Sequence, residues 1–279
     1  MSTGVRRGRV LGRFRRAVDL LIEDEVVALV TPEVGDGPFN VVVPFIPARA
    51  LPRQFTVRCD ATRCDLGPWQ VCFRPSPRLW DAHPPWETWR PDAEALDTLR
   101  RIIAREAMAR ASVSPLASLS GSGLPSRVAT LNKALRSRDP AAIREAAAGV
   151  AGWGPGLTPS GDDYLAGVML GLWSIAHGHA EELDTEHALV SSFAFCRDLC
   201  DGMYQAAAPR TNRISQAFLR AARDGLADAH WHALLRALAD GDSLDVTQAA
   251  QTVLAFGATS GFDMLLGFLR AHECSCTVV

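Results

Sequence analysis

Hydrophobic positions along the chain follow two different periods, and the change falls near residue 90. Before it, short β-branched and aromatic runs occur at 26–30, 39–46 and 55–59, with 69–73 as a fourth candidate strand. Gly35-Asp36-Gly37-Pro38 supplies turn chemistry between the first two. Pro44, Pro47 and Pro52 hold these strands short or at an edge. Ahead of them, six arginines fall between Arg6 and Arg16 and read as a solvated Arg-rich strand or arm. Beyond Asp92 the spacing turns helical: Leu96, Leu99, Ile102, Ile103 and Met108 predict a helix over 92–110. The same pattern predicts helices at 126–137, 140–150, 161–177, 186–207, 214–224, 228–239, 244–256 and 261–272. Between the two regimes, five prolines and three tryptophans crowd residues 75–91, and the tryptophans are expected to cover a seam. The fold class expected is α+β. A small β-rich module over 1–90 precedes a larger all-helical part over 91–279.

Composition narrows the function classes. The 279 residues are 48% hydrophobic and 22% charged, enough for a sizeable core without covalent staples. A net charge of −2 argues against a dedicated nucleic-acid binder. Only Lys133 among the 29 basic residues is a lysine, which reads as genome composition. Seven cysteines in unpaired spacings match no zinc ribbon and predict reduced thiols. Acidic residues at 19 and 23–25 break the first apolar run. The later run at 165–176 is too short to cross a bilayer, so a cytoplasmic protein without a membrane partner is expected.

The chemistry concentrates in Gly152-Trp-Gly-Pro-Gly-Leu-Thr-Pro-Ser-Gly-Asp-Asp-Tyr-Leu-Ala-Gly167. Glycines and prolines restrict the backbone before a helix whose expected N-cap is Ser160, with Asp163 at N3 as a capping box. Such an approach presents free N–H groups and the positive dipole end to an anion. It is no Walker loop, because no Gly-Lys-Ser/Thr follows. Asp163 can serve the cap, which leaves Asp162 for chemistry.

The signature then recurs. Ser160-Gly161-Asp162-Asp163-Tyr164-Leu165-Ala166-Gly167 aligns with Ser260-Gly261-Phe262-Asp263-Met264-Leu265-Leu266-Gly267, as Ser-Gly-x-Asp-x-Leu-x-Gly. Gly167 and Gly267 sit inside helices, where glycine costs about 1 kcal/mol relative to alanine. A close helix–helix approach would offset that cost, and both N-termini would then meet at one ligand. Ser160 and Ser260 are expected within roughly 15 Å of each other. A third element, Pro209-Arg210-Thr211-Asn212-Arg213-Ile214-Ser215, offers a helix cap and two planar cationic forks. His177, His179, His230 and His232 read as structural rather than metal-binding.

Taken together, 154–163, 211–215 and 259–263 resemble, in order and rough spacing, the oxamate carbamoyltransferase subunit AllH family. The resemblance covers most of the chain, although Ala258 stands where a familiar version carries histidine. It implies a cytoplasmic bacterial protein of purine nitrogen use, acting with partner subunits on oxamate or oxalurate and carbamoyl phosphate. The residue roles are inferred from chemistry. N–H groups at Gly161 and Gly261 would hold an anionic end, with the Thr158, Ser160, Thr259 and Ser260 hydroxyls beside it. Arg210 or Arg213 would hold a second anionic group, and Gly156, Asp163, Thr211, Asn212 and Asp263 complete the binding set. Asp162 and Ser160 are the expected catalytic residues, with Asp162 orienting or deprotonating the attacking amide nitrogen. No cofactor is required by this reading. Two alternatives remain: a non-catalytic ligand-binding or assembly subunit, and an unfamiliar phosphotransferase with Mg²⁺ on Asp162 and Asp163.

Overall fold

Apolar positions over residues 17–30 build two interior strands of a sheet. The computed structural model describes residues 5–47, 56–73, 77–86, 89–117, 123–178 and 186–275. It divides into two units, Met1–Ala82 and His83–Val279. In the first unit, the strands are β1 (Arg6–Arg13), β2 (Ala17–Ile22), β3 (Glu25–Val30), β4 (Asn40–Val42), β5 (Thr56–Cys59), β6 (Arg63–Leu66) and β7 (Trp69–Cys72). They form one sheet in the order β4-β3-β2-β1-β5-β6-β7. All pairs are antiparallel except β3 with β4. Val18, Leu20, Leu29, Val57, Cys59, Cys64 and Leu66 make its apolar cluster.

Of the strand and arm expected for the Arg-rich start, it is the strand, paired to both β2 and β5, with Arg6, Arg7 and Arg9 exposed. Two expectations change here. The run at 39–46 contracts to Asn40–Val42, since Pro44 cannot donate to a ladder. Cys59 and Cys64 are not reduced thiols: they oppose each other directly across β5 and β6 and form a disulfide.

The second unit is helical: α1 (Ala93–Arg110), α2 (Leu124–Ser137), α3 (Pro140–Val150), α4 (Ser160–Gly178), α5 (Glu186–Ala207), α6 (Arg213–Arg223), α7 (Ala229–Asp240), α8 (Ser243–Leu254) and α9 (Ser260–Ser275). Among the described residues no helix is long and apolar enough to cross a membrane. Asp92, Asp139, Asn212, Asp228 and Asp242 cap helices by accepting backbone N–H bonds. Trp86 and Trp89, expected at a seam, are buried inside this unit, donating to the Gly225 and Ser174 carbonyls at 2.9 Å each. His177 stacks on Trp86 with ring centroids 5.4 Å apart, and burial pushes its pKa down to about 4. His179 lies outside the described residues.

Every residue from Ser160 to Gly171 is buried, so α4 runs through the middle of the unit rather than along its surface. Its main partner is α9. A Cβ on Gly167 would overlap the Met264 carbonyl, and one on Gly267 the Tyr164 carbonyl, so the two glycines let the helix backbones touch. The helices on either side also correspond. α2 and α3 lead into α4 as α7 and α8 lead into α9, with Asp139 and Asp242 capping the middle member of each trio.

Gly167→Ala removes a helix-weakening glycine yet is expected to destabilise the protein by about 2–3 kcal/mol, because the new methyl must separate two packed backbones. Chemical denaturation measures this. A gain of stability, as helix propensity alone would give, would refute the close crossing.

Candidate functional site

The loops before α4 and α9 are built by the same rules. Trp153 N–H donates to the Val150 carbonyl, and Gly161 N–H returns to the Trp153 carbonyl at 2.8 Å. In the second half, Phe256 N–H donates to Val253 and Gly261 N–H to Phe256 at 3.0 Å. A Cβ on Gly161 would overlap the Val150 carbonyl, and one on Gly261 the Val253 carbonyl. Glycine therefore stands second in each Ser-Gly-x-Asp because each helix starts against the end of the one before it.

The two starts converge as expected. The Thr158 and Ser260 hydroxyls lie 2.9 Å apart. The Ser260 and Thr158 hydroxyls face the Asp163 carboxyl, while the Ser160 and Thr259 hydroxyls face Asp263. Each repeat thus offers its serine to the other repeat's aspartate. Ser114 Oγ, from the loop after α1, donates to Asp263 Oδ1 at 2.7 Å. Asp162, Asp163 and Asp263 are 2%, 4% and 0% exposed. Asp163 Oδ2 and Asp263 Oδ2 are buried without a hydrogen-bond partner among the described residues.

Burial dominates the electrostatics. It raises the pKa of all three carboxyls, against the opposing pull of their hydroxyl and N–H neighbours. Asp163 is pushed up to about 8, first by desolvation and further by the negative charges of Asp263 and Asp162. Arg110 pulls Asp263 the other way, its guanidinium donating to the Ala258 carbonyl at 2.9 Å.

The third expected element closes on the first. Asp162 Oδ1 accepts the Gly152 N–H at 2.7 Å, and Asp162 Oδ2 accepts the Thr211 hydroxyl, with Ser215 beside it. Asn212 caps α6 through Oδ1 and donates from Nδ2 to the Leu157 carbonyl at 2.8 Å. Arg210 and Arg213 lie on the exposed edge of this cluster, as do Trp153, Gly156 and Leu157.

Several expected roles are corrected by this arrangement. Ser160 is the first helical residue rather than the cap, and the Asp162 and Asp163 N–H groups both go to the Pro159 carbonyl. The Gly161 and Gly261 N–H groups are spent on loop carbonyls, so neither is free to hold an anion. Asp163 is not a capping residue: its carboxyl turns toward α9 and keeps one oxygen unpaired. Asp162, expected to be left for chemistry, ties the loop at 152 to the one at 211. The sequence reading missed Ser114, which sits in an unremarkable Ser/Gly/Pro stretch far from Asp263 in the chain, and gave Ser215 no duty.

Residues 150–272 match the model of the family described as oxamate carbamoyltransferase subunit AllH. The matched segment, a little under half the chain, runs from the carbonyl that seats Gly161 to the middle of the last turns of α9. No curated protein and no solved structure matches the chain significantly.

Two outcomes follow from the carboxyls. Asp162→Ala strands the Gly152 N–H and the Thr211 hydroxyl and is expected to cost about 2 kcal/mol or more in urea unfolding; an unchanged midpoint would deny Asp162 its tying role. Asp163, raised from 3.8 to about 8, holds a proton in the folded chain that the unfolded chain releases. Its contribution is full below pH 3.8 and is lost as pH rises to about 8. Asp163→Asn is neutral throughout, so its stability should fall less than wild type across that window in buffer free of divalent ions. Asp162 and Asp263 are common to both proteins, so the difference reports Asp163 together with its charge coupling to those two. Parallel profiles would show that Asp163 titrates normally.

Proposed function

We propose that the chain is a cytoplasmic subunit of a carbamoyltransferase, acting with partner subunits on oxamate or oxalurate and carbamoyl phosphate. The observation that carries this reading is the coincidence of the matched segment with the junction: residues 150–272 hold both Ser-Gly-x-Asp starts and the 209–215 loop. In the transfer, the oxamate amide nitrogen forms a bond to the carbamoyl carbon while the carbon–oxygen bond to phosphate breaks, and the nitrogen gives up a proton. Arg210 and Arg213, at the exposed edge, suit the carboxylate and phosphate ends of such substrates. Asp163 rather than Asp162 fits the proton-handling role, because burial holds its pKa near neutrality and one oxygen has no partner. Asp162, Thr211 and Asn212 then position the loops that carry the arginines.

A second reading, a subunit that binds or assembles without catalysing, is favoured by one fact: the Gly161 and Gly261 N–H donors are already used. Reconstitution separates the two. Purified chain with its partner subunits is assayed for phosphate-dependent breakdown of oxalurate and for the reverse reaction. Arg210→Ala with Arg213→Ala should raise KM about ten- to a hundredfold, the worth of one charged hydrogen bond, and Asp163→Asn should lower kcat. Normal kinetics in both variants would support the assembly role, and full activity of the partners without this chain would end both readings.

A further inference from the structure

Asp163 Oδ2 and Asp263 Oδ2 are the only two unpaired buried carboxylate oxygens among the described residues, and they stand at matching positions of the two repeats. A buried polar atom without a hydrogen-bond partner costs about 1–3 kcal/mol, so such a pair calls for a third party. Neither carboxylate forms a salt bridge among the described residues; Arg110 acts on Asp263 only from a longer range. Asp162 is a poor helper, because both of its oxygens are already engaged.

We propose that Asp163 and Asp263 bind one hard divalent cation of the Mg²⁺ class, bordered by the hydroxyls of Thr158, Ser160 and Ser260. Three considerations favour this occupant. Two carboxylates cancel a double positive charge, whereas a monovalent ion would leave net charge in a dry junction. All the donors are oxygen, which selects Mg²⁺ or Mn²⁺ over softer metals. Among the described residues no three acidic, histidine or cysteine side chains gather as a metal site, and Mg²⁺ is content with one or two carboxylates, filling the rest with water or a phosphate. Burial favours the neutral form of both carboxyls, so the ion must displace any proton they carry as it binds. Because one ligand comes from each repeat, the ion would join the two helix starts, and its binding would stabilise the fold whatever reaction the chain serves.

The full chain, stripped with EDTA and desalted, is titrated with Mn²⁺ by electron paramagnetic resonance and with Mg²⁺ by thermal unfolding. The expected result is one Mn²⁺ per chain, displaced by Mg²⁺, with a saturating rise in Tm that K⁺ at equal ionic strength does not produce. Asp263→Asn should abolish Mn²⁺ binding. Ser260→Ala, a milder change that keeps both carboxylates, should weaken it about ten- to a hundredfold, as loss of a supporting partner does. No bound Mn²⁺ at millimolar concentration, a response to K⁺ alone, or affinity unchanged in Ser260→Ala would each overturn the proposal. These measurements need neither substrate nor partner subunits, so a failed activity assay leaves them standing; their failure leaves the transferase reading untouched, and their success makes Asp163 an ion ligand in place of a proton carrier within it.

Discussion

The close crossing of α4 and α9 at Gly167 and Gly267 governs the rest of the helical unit. Backbone-to-backbone contact at that point leaves the helices no room to slide, and it fixes where their N-termini lie. The starts at Ser160 and Ser260 must then share one small volume, and the loops before them must bend sharply to reach it. Gly161 and Gly261 allow that bend by packing against the Val150 and Val253 carbonyls. What looks like a repeated binding motif is thus first a repeated way of starting two helices side by side.

The same geometry explains why the junction is polar. Two helix starts carry unpaired N–H groups, and here loop carbonyls absorb those of Gly161 and Gly261. The side chains at Asp163 and Asp263 then have no N–H to cap and turn across to the other repeat's hydroxyls. Carboxylates set into such a dry place resist ionising, which is the physical origin of the raised pKa of Asp163. A group with that property at the base of exposed, arginine-edged loops is the feature that separates this junction from ordinary helix capping.

Much of this could be read from the chain, and the failures have identifiable causes. Period and caps located the helices closely, since long amphipathic or all-apolar runs leave little ambiguity. The repeated Ser-Gly-x-Asp predicted the convergence, because two glycines at matching interior positions need a common reason. Asp162, expected to be free for chemistry, instead ties two loops, and Asp163, expected to cap α4, turns toward α9. Spacing along one helix says which positions can cap it, but Asp163 meets Ser260 and Asp162 meets Thr211, partners that only the folded chain brings near. β2 and β6 were missed for a similar reason: Asp19 interrupts the one apolar alternation, and the other is only four residues long. The Cys59–Cys64 pairing likewise depends on strand register, which cysteine spacing does not contain.

The family match begins at residue 150, yet the site it encloses does not stand on that segment alone. Asp263 accepts from Ser114, and Arg110 holds the loop ahead of α9 through the Ala258 carbonyl. Tyr164, next to Asp163, donates to Asn132 on α2 at 2.6 Å. Each of these partners lies before residue 150. Removing α1 to α3 would expose the apolar flanks of α4 and α9, leave a buried tyrosine hydroxyl without its partner and take one donor from a buried carboxylate, a combination that breaks a core. The smallest piece able to keep this junction therefore starts at α1, and the two helix trios with α1, α5 and α6 around them act as one structural unit.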